Sequence, residues 1–138
     1  METSEYFEGG TVYVWDETFA IAQTEKPFAN AFAVIQDKKE ITVIMDQEKI
    51  HADDVIQMDI DWKLITFDMV LLLQTIGFLA KVTTVLADER ISVCALSTYS
   101  TDHILVKEQD LLKTLRKLKT LGLSVKKRCN QPSQHLLS

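Results

Sequence analysis

The chain has only two cysteines, two prolines and four glycines in 138 residues. Cys94 and Cys129 are far apart and in no metal-ligand spacing, so no zinc-type site is expected. Cys94 reads as a small core residue and Cys129 as an exposed tail thiol. With so few glycines there is no phosphate-cradling loop, and no serine is followed by the glycine of a nucleophile elbow. Long apolar runs are missing too. The longest, Met69 to Leu73, is far short of the roughly 18 residues of a membrane span. The start, "METSEYFEGG", is acidic and lacks the basic and apolar regions of a signal peptide. These absences predict a cytoplasmic protein with no membrane partner and no disulfide.

What is present describes an ordinary globular chain: 46% hydrophobic and 25% charged residues, enough for one compact domain or two very small ones sharing a core. The net charge is −5, unevenly placed. Lys107 to Arg128 carries eight basic and two acidic residues, +6, so the remainder carries −11. The basic residues recur at helical spacing, which suits a solvated helix face, so no nucleic acid is expected. His51, His103 and His135 fall in different elements and the carboxylates are scattered. No catalytic residues, no metal and no cofactor are predicted.

Along the chain, "TVYVWDETFAIAQT" reads as β structure with a turn near Asp16 and Glu17. Pro27 breaks the ladder. "AFAVIQ" and "ITVIMD" flank the polar turn "DKKE" and predict a hairpin. "QEKIHADDVI" predicts one short helix. "WKLITFD" is a strand, and "MVLLLQ" predicts a second strand or a bend of the first. Phe78, Leu79, Val82, Val85 and Leu86 make one helical stripe, with Thr75 as its cap. "ISVCALS" and "HILVKE" are two further strands. Leu111, Leu112, Leu115 and Leu118 form a second stripe, closed by Gly122, and "LSVKK" is a last strand.

From Trp62 the order is β, α, β, β, α, β, the split βαβ or ferredoxin-like arrangement, an antiparallel sheet with two helices on one face. The upstream half gives the same order with its first helix eroded. "ITVIMDQEKI" and "HILVKEQDLL" echo each other as strand, acid and glutamine, helix start. The fold predicted is α+β with two such units, at 11–61 and 62–127, followed by a disordered tail at 128–138.

Two places invite a ligand. In "QTIGFLA", Gly77 stands where strand turns to helix. Free N–H groups and the helix dipole there favour a carboxylate; equally, Gly77 serves tight packing alone. In "LSTYSTDHILV", Thr98, Tyr99, Thr101 and Asp102 crowd a hairpin turn. Hydroxyl and carboxylate side chains commonly bond turn backbone, but Asp102 is also a potential acceptor for an ammonium or guanidinium group.

The segment "IGFLAKVTTVLADERISVCALSTYSTDHILVKEQDL" resembles the ACT domain, a small-molecule sensing module. It is similar to short tandem-ACT bacterial proteins of aspartokinase-like type and to the CASTOR arginine sensors. Gly77, Leu86–Ala87, Ile91–Val93, Ser97–Thr98–Tyr99, Thr101–Asp102 and Leu105–Val106 carry the likeness. It implies two ACT units with the βαββαβ fold and a free amino acid at an interface between units. Ile76, Gly77 and Phe78 would meet the ligand's backbone groups. Thr98, Tyr99, Thr101 and Asp102 would hold its other end, with Asp102 facing a basic side chain. The chain is about half an arginine sensor in length, and the apolar "MVLLLQTI" offers few polar groups to read a ligand.

The expected function is therefore a non-catalytic, amino-acid-binding regulatory protein. The alternative is a protein-interaction module with an unused pocket. An acylphosphatase-type enzyme fits poorly, because Arg90, Arg116 and Arg128 all sit at or after a helix. Neither face of the strand around Ser92–Leu96 is polar, which predicts that something covers the second face, and a homodimer is expected.

Overall fold

β-Branched and aromatic residues dominate the N-terminal half, and there the chain is strand after strand. The computed structural model describes residues 7–69 and 77–126. In order come β1 (Thr11–Val14), β2 (Phe19–Thr24), β3 (Ala33–Gln36), β4 (Ile41–Asp46) and β5 (Val55–Phe67). Then follow α1 (Phe78–Asp88), β6 (Val93–Ser97), β7 (Asp102–Lys107), α2 (Leu111–Thr120) and β8 (Ser124–Lys126).

β5 organises the rest. One edge carries β1 beside its C-terminal end, with Val12 opposite Phe67, and β2 beside its N-terminal part, with Phe19 opposite Trp62. Its other edge carries β7 only from Trp62 to Thr66. The result is β3-β4-β2-β5 in one half and β8-β1-β5-β7-β6 in the other. All pairs are antiparallel except β1 with β8. The turn between the halves is marked by Asp61 at φ 69°, where the register with β2 shifts. An extra residue of this kind bends and twists a strand. Gln47 holds the bend: its Oε1 accepts from the Asp61 N–H at 2.8 Å and its Nε2 donates to Asp61 Oδ1 at 3.1 Å.

Both α-helices end in the same way. The N–H groups of Arg90 and Ile91 return to the carbonyls of Ala87 and Leu86, and those of Gly122 and Leu123 to Lys119 and Leu118. This is the paired-bond ending that puts the residue after the cap in the left-handed region. Gly122 adopts φ 105° there, and Arg90 adopts φ 60° without glycine's freedom.

Three apolar clusters form the core. The largest lies between the sheet and the helices and contains Val12, Ile65, Phe67, Phe78, Val82 and Leu86 among others. A second, with Ala20, Ala22, Val43 and Met45, lies on the outer face of β2 and β4, under the connections that follow β2 and β4. The third joins Phe19 and Ile44 to Leu64 and Leu105, with Cys94, Leu96, Trp15 and Phe32 against it. It packs the β2–β4 half onto the helix-free face of β5, β6 and β7. The second face of β6, expected to need an outside partner, is therefore met by residues of the same chain.

Several expectations change. The helix read into 47–56 is two three-residue 3-10 turns, Gln47–Lys49 and Ala52–Asp54, and β5 begins at Val55. With Ile50 the one large apolar residue in 46–54, there is no apolar stripe to hold a longer helix on the sheet. No α-helix is present between Thr11 and Phe67, so both helix positions of the N-terminal half are short, where one was expected to be. The expected boundary at 61/62 falls inside β5, and β1 lies between β5 and β8. Leu112 is 71% exposed and leaves its stripe, while Thr114 is fully buried. Thr114 satisfies its hydroxyl by donating to the Asp110 carbonyl at 2.8 Å. The strand expected at 69–74, apart from Met69, the cap at Thr75 and the tail at 128–138 lie outside the described residues.

Candidate functional site

The hairpin between β6 and β7 is built by its own polar groups. Thr98 donates twice to the Thr101 carbonyl, from its N–H at 2.9 Å and its Oγ1 at 3.0 Å. Opposite one another in the register, Ser97 donates from Oγ to Asp102 Oδ1 at 2.5 Å. Tyr99 projects from the tip, 83% exposed. The Thr98 side chain thus does what such residues commonly do in turns, with the Thr101 carbonyl as its acceptor. Asp102 binds one hydroxyl and remains half-buried.

Strand alternation decides where Asp102 points. It is two residues ahead of Ile104, which belongs to the helix-side cluster, so Asp102 shares that face. Thr66 pairs with His103, so Asp102 stands at the sheet end from which β5 leads to α1.

At that end, Gly77 is the N-cap of α1 with φ 84° and ψ 0°. A left-handed cap carries no side-chain acceptor, and it is a position glycine occupies without strain. Its carbonyl accepts from Lys81 N–H at 3.0 Å. Phe78 is a core residue in its side chain, stacked on Phe7 at 4.8 Å and edge-on to Phe67 at 5.1 Å. What it can give a ligand is its backbone. Ile76 lies outside the described residues.

On the other face lies a buried polar chain that no local pattern in the sequence signals. His103 is 6% exposed. Its Nδ1 lies 2.9 Å from Thr66 Oγ1, which itself accepts from Trp15 Nε1 at 2.8 Å. Phe32 meets the imidazole edge-on at 5.2 Å. Burial pushes the His103 pKa below its ordinary value, and the Asp102 charge opposes this only in part. The Thr66 hydroxyl has one proton and two lone pairs, so beside the Trp15 donor it can donate to Nδ1 or accept from it, according to the tautomer of the ring. Cys94, in the third cluster, is half-buried and its thiol pKa is raised by burial, as for a core residue. On the surface, Lys107 bridges Asp59 and the Ile60 carbonyl while lying over the Trp62 ring. Hydrogen bonds from Lys107 and Trp62 hold the Asp59 carboxyl below its ordinary pKa.

Helix start, hairpin and sheet end together delimit a segment that can be compared with known proteins. Residues 57–120 match the family model of the ACT domain. The ACT match begins inside β5 and includes α1, β6, β7 and α2. No curated protein matches the sequence. Among solved structures, a protein from Agobacterium tumefaciens is similar with a TM-score of 0.76 and 22% identity, over 88% of this chain and 96% of that one. A protein of unknown function from Vibrio cholerae, described as a possible transport protein, has a TM-score of 0.72 and 16% identity, over 86% and 94%. The ligand-free regulatory subunit of aspartate kinase from Thermus thermophilus has a TM-score of 0.60 and 12% identity, over 82% and 99%. At these identities the likeness is one of fold: a mixed α/β ACT-like sheet with two helices. No helix among the described residues is long and apolar enough to cross a membrane, and no cluster of three or more possible metal ligands occurs among them.

Proposed function

We propose that the protein is a non-catalytic regulatory module that binds a free amino acid, a basic one by preference. The observation that carries this is the ACT match over residues 57–120, which contains both the left-handed helix start at Gly77 and the hairpin at Asp102. The α-carboxylate is bound by the N–H groups of the first turn of α1, around Ile76, Gly77 and Phe78. Asp102, with Thr98, Tyr99 and Thr101 around it, accepts the ammonium or guanidinium of the side chain. A ligand charged at both ends spans the two. The strand order supports a tandem reading. β2, β3, β4 and β5 follow the order 4-1-3-2 of a ferredoxin-like sheet. β5, β6, β7 and β8 follow it again, with β1 inserted between the first and last. In this reading β5 is the last strand of one unit and the first of the next. The similarity to a regulatory subunit of aspartate kinase agrees with a sensing role. A cytoplasmic homodimer remains part of the proposal, but its assembly does not have to cover the β6 face.

A thermal-shift screen against the twenty amino acids tests the reading, because a ligand that binds only the folded state raises the melting temperature. Arginine or lysine is expected to give the largest shift. No shift from any amino acid at millimolar concentration favours the alternative, an interaction module with an unused pocket.

A further inference from the structure

Among the described residues, Lys63 is the only lysine, arginine or carboxylate side chain that is buried, at 8% exposure. Lysines are almost never buried without a counter-charge. The ion pairs between described residues, such as Lys107–Asp59, Lys117–Glu89 and Lys126–Asp68, do not include Lys63. Its Nζ donates instead to two backbone carbonyls, Asp16 at 3.0 Å and Glu17 at 2.9 Å. An ammonium has three N–H donors, so one is left. Two carbonyl dipoles solvate the charge but do not neutralise it, and a desolvated cation without a counter-charge is costly.

The side chain borders an open groove of about 460 Å³ between the start of α2 and the sheet. That volume is within the range of small-molecule sites. Val14, Trp15, Leu111 and Val125 give it apolar walls, and Lys126 and Asp16 stand at its border. The site is at the opposite end of β7 from Asp102, since Lys63 pairs with Val106. It is therefore independent of the amino-acid site proposed above.

We propose that this groove binds a small carboxylate with an apolar body, the carboxylate accepting from Lys63 Nζ. The ligand's carboxylate takes the remaining N–H donor of Lys63, and its hydrocarbon part fills the space between Val14, Leu111 and Val125. A simple organic acid and an apolar α-amino acid share this chemistry. In the amino acid the extra ammonium falls to Asp16.

Calorimetry and thermal shift on the full chain with 3-methylbutanoate, 3-methylbutanamide and L-leucine test the site. The acid is expected to bind and raise the melting temperature, and the amide, of the same shape without the charge, to do neither. Lys63→Met should weaken the acid about tenfold or more, the scale of a charge-assisted hydrogen bond. Leu111→Trp fills the groove without touching Lys63 and should abolish binding even if Lys63→Met fails to fold. Asp102→Asn should leave the acid's affinity unchanged. Leucine binding more tightly than the acid, with the advantage lost in Asp16→Asn, identifies the amino-acid source; the reverse order identifies the simple acid. Equal binding of acid and amide, unchanged binding in Lys63→Met or Leu111→Trp, or no binding of either carboxylate at millimolar concentration overturns the proposal. Lys63 is then only a clasp for the Asp16–Glu17 turn.

Discussion

Thr66 and His103 face one another across β5 and β7, and the threonine hydroxyl lies 2.9 Å from the imidazole Nδ1. Trp15 donates to the same hydroxyl at 2.8 Å, so Thr66 ties the indole to the imidazole. Protonating the ring would place a cation in a buried site.

The consequence is a pH dependence of stability. Burial lowers the folded-state pKa of His103 below its ordinary value of 6.5. Between the two values the unfolded chain binds more protons, so stability rises with pH there. The contribution of neutral His103 is complete above about pH 6.5 and is lost as pH falls below it. Urea midpoints should decline from pH 7 to pH 5 in the wild type and decline less in His103→Gln. Equal slopes in both would assign the loss to other groups.

Thr66→Val keeps the shape and removes the hydroxyl shared by Trp15 and His103. Depriving a buried donor or acceptor of its partner costs about 1–3 kcal/mol. Chemical denaturation at pH 7.5 should show a loss in that range, and a change under about 0.5 kcal/mol, the range of surface substitutions, would mean that the chain of bonds carries no stability.

The second helix offers a contrast within one leucine-rich stretch. Leu118 is fully buried and Leu112 is 71% exposed. Leu118→Ala should cost about 2–5 kcal/mol, and Leu112→Ala should stay within about 0.5 kcal/mol. Comparable effects from the two would place the helix in a different rotation about its axis.

Arg90 occupies at the end of α1 the left-handed position that Gly122 occupies at the end of α2. A residue with a side chain is strained there by about 1 kcal/mol. Arg90→Gly should therefore stabilise the protein by several tenths to 1 kcal/mol or so, read as a raised melting temperature with an unchanged denaturant slope. A lowered melting temperature would show that the Arg90 side chain makes a compensating contact.

At the proposed amino-acid site, Asp102→Asn retains an acceptor for Ser97 and removes the charge. Folding should be spared, and a basic amino acid should lose about 1.5–3 kcal/mol of binding. Calorimetry with arginine and with citrulline, its uncharged counterpart, separates the charge from the shape. If both ligands weaken equally, Asp102 is a turn residue only.

The residues explain why some of this was legible beforehand. Phe78, Val82 and Leu86 recur at helical spacing and pack on the sheet, so α1 could be read from period alone. The β6–β7 hairpin could be read from its hydroxyl-rich turn. Leu112 misled because a stripe reading counts apolar residues and cannot see that Thr114, its hydroxyl bonded back to Asp110, packs as well as a leucine would. The placement of β1 beside β8 could not be read at all, since no local pattern encodes a pairing between residues so far apart. His103 and Lys63 were invisible for a related reason. Each looks like any polar residue in an alternating strand, and only the arrival of the β1–β2 region on both faces of β5 buries them.

The pairing of β1 with β8 also bears on how the protein comes into being. Thr11 is aligned with Ser124, so the first strand of the chain acquires its outer neighbour only when the last strand has been made. On the ribosome β1 can pair early with β5, but its other edge stays exposed through the synthesis of both helices. Contacts of such sequence separation slow folding, and unpaired edges in the meantime are sites of misassociation. The same alignment brings the beginning of the first strand close to the last. A permuted chain that joins the two through a linker long enough for the return a parallel pair requires, and opens at the polar turn Asp37–Glu40, would bring this distant pairing much closer in sequence.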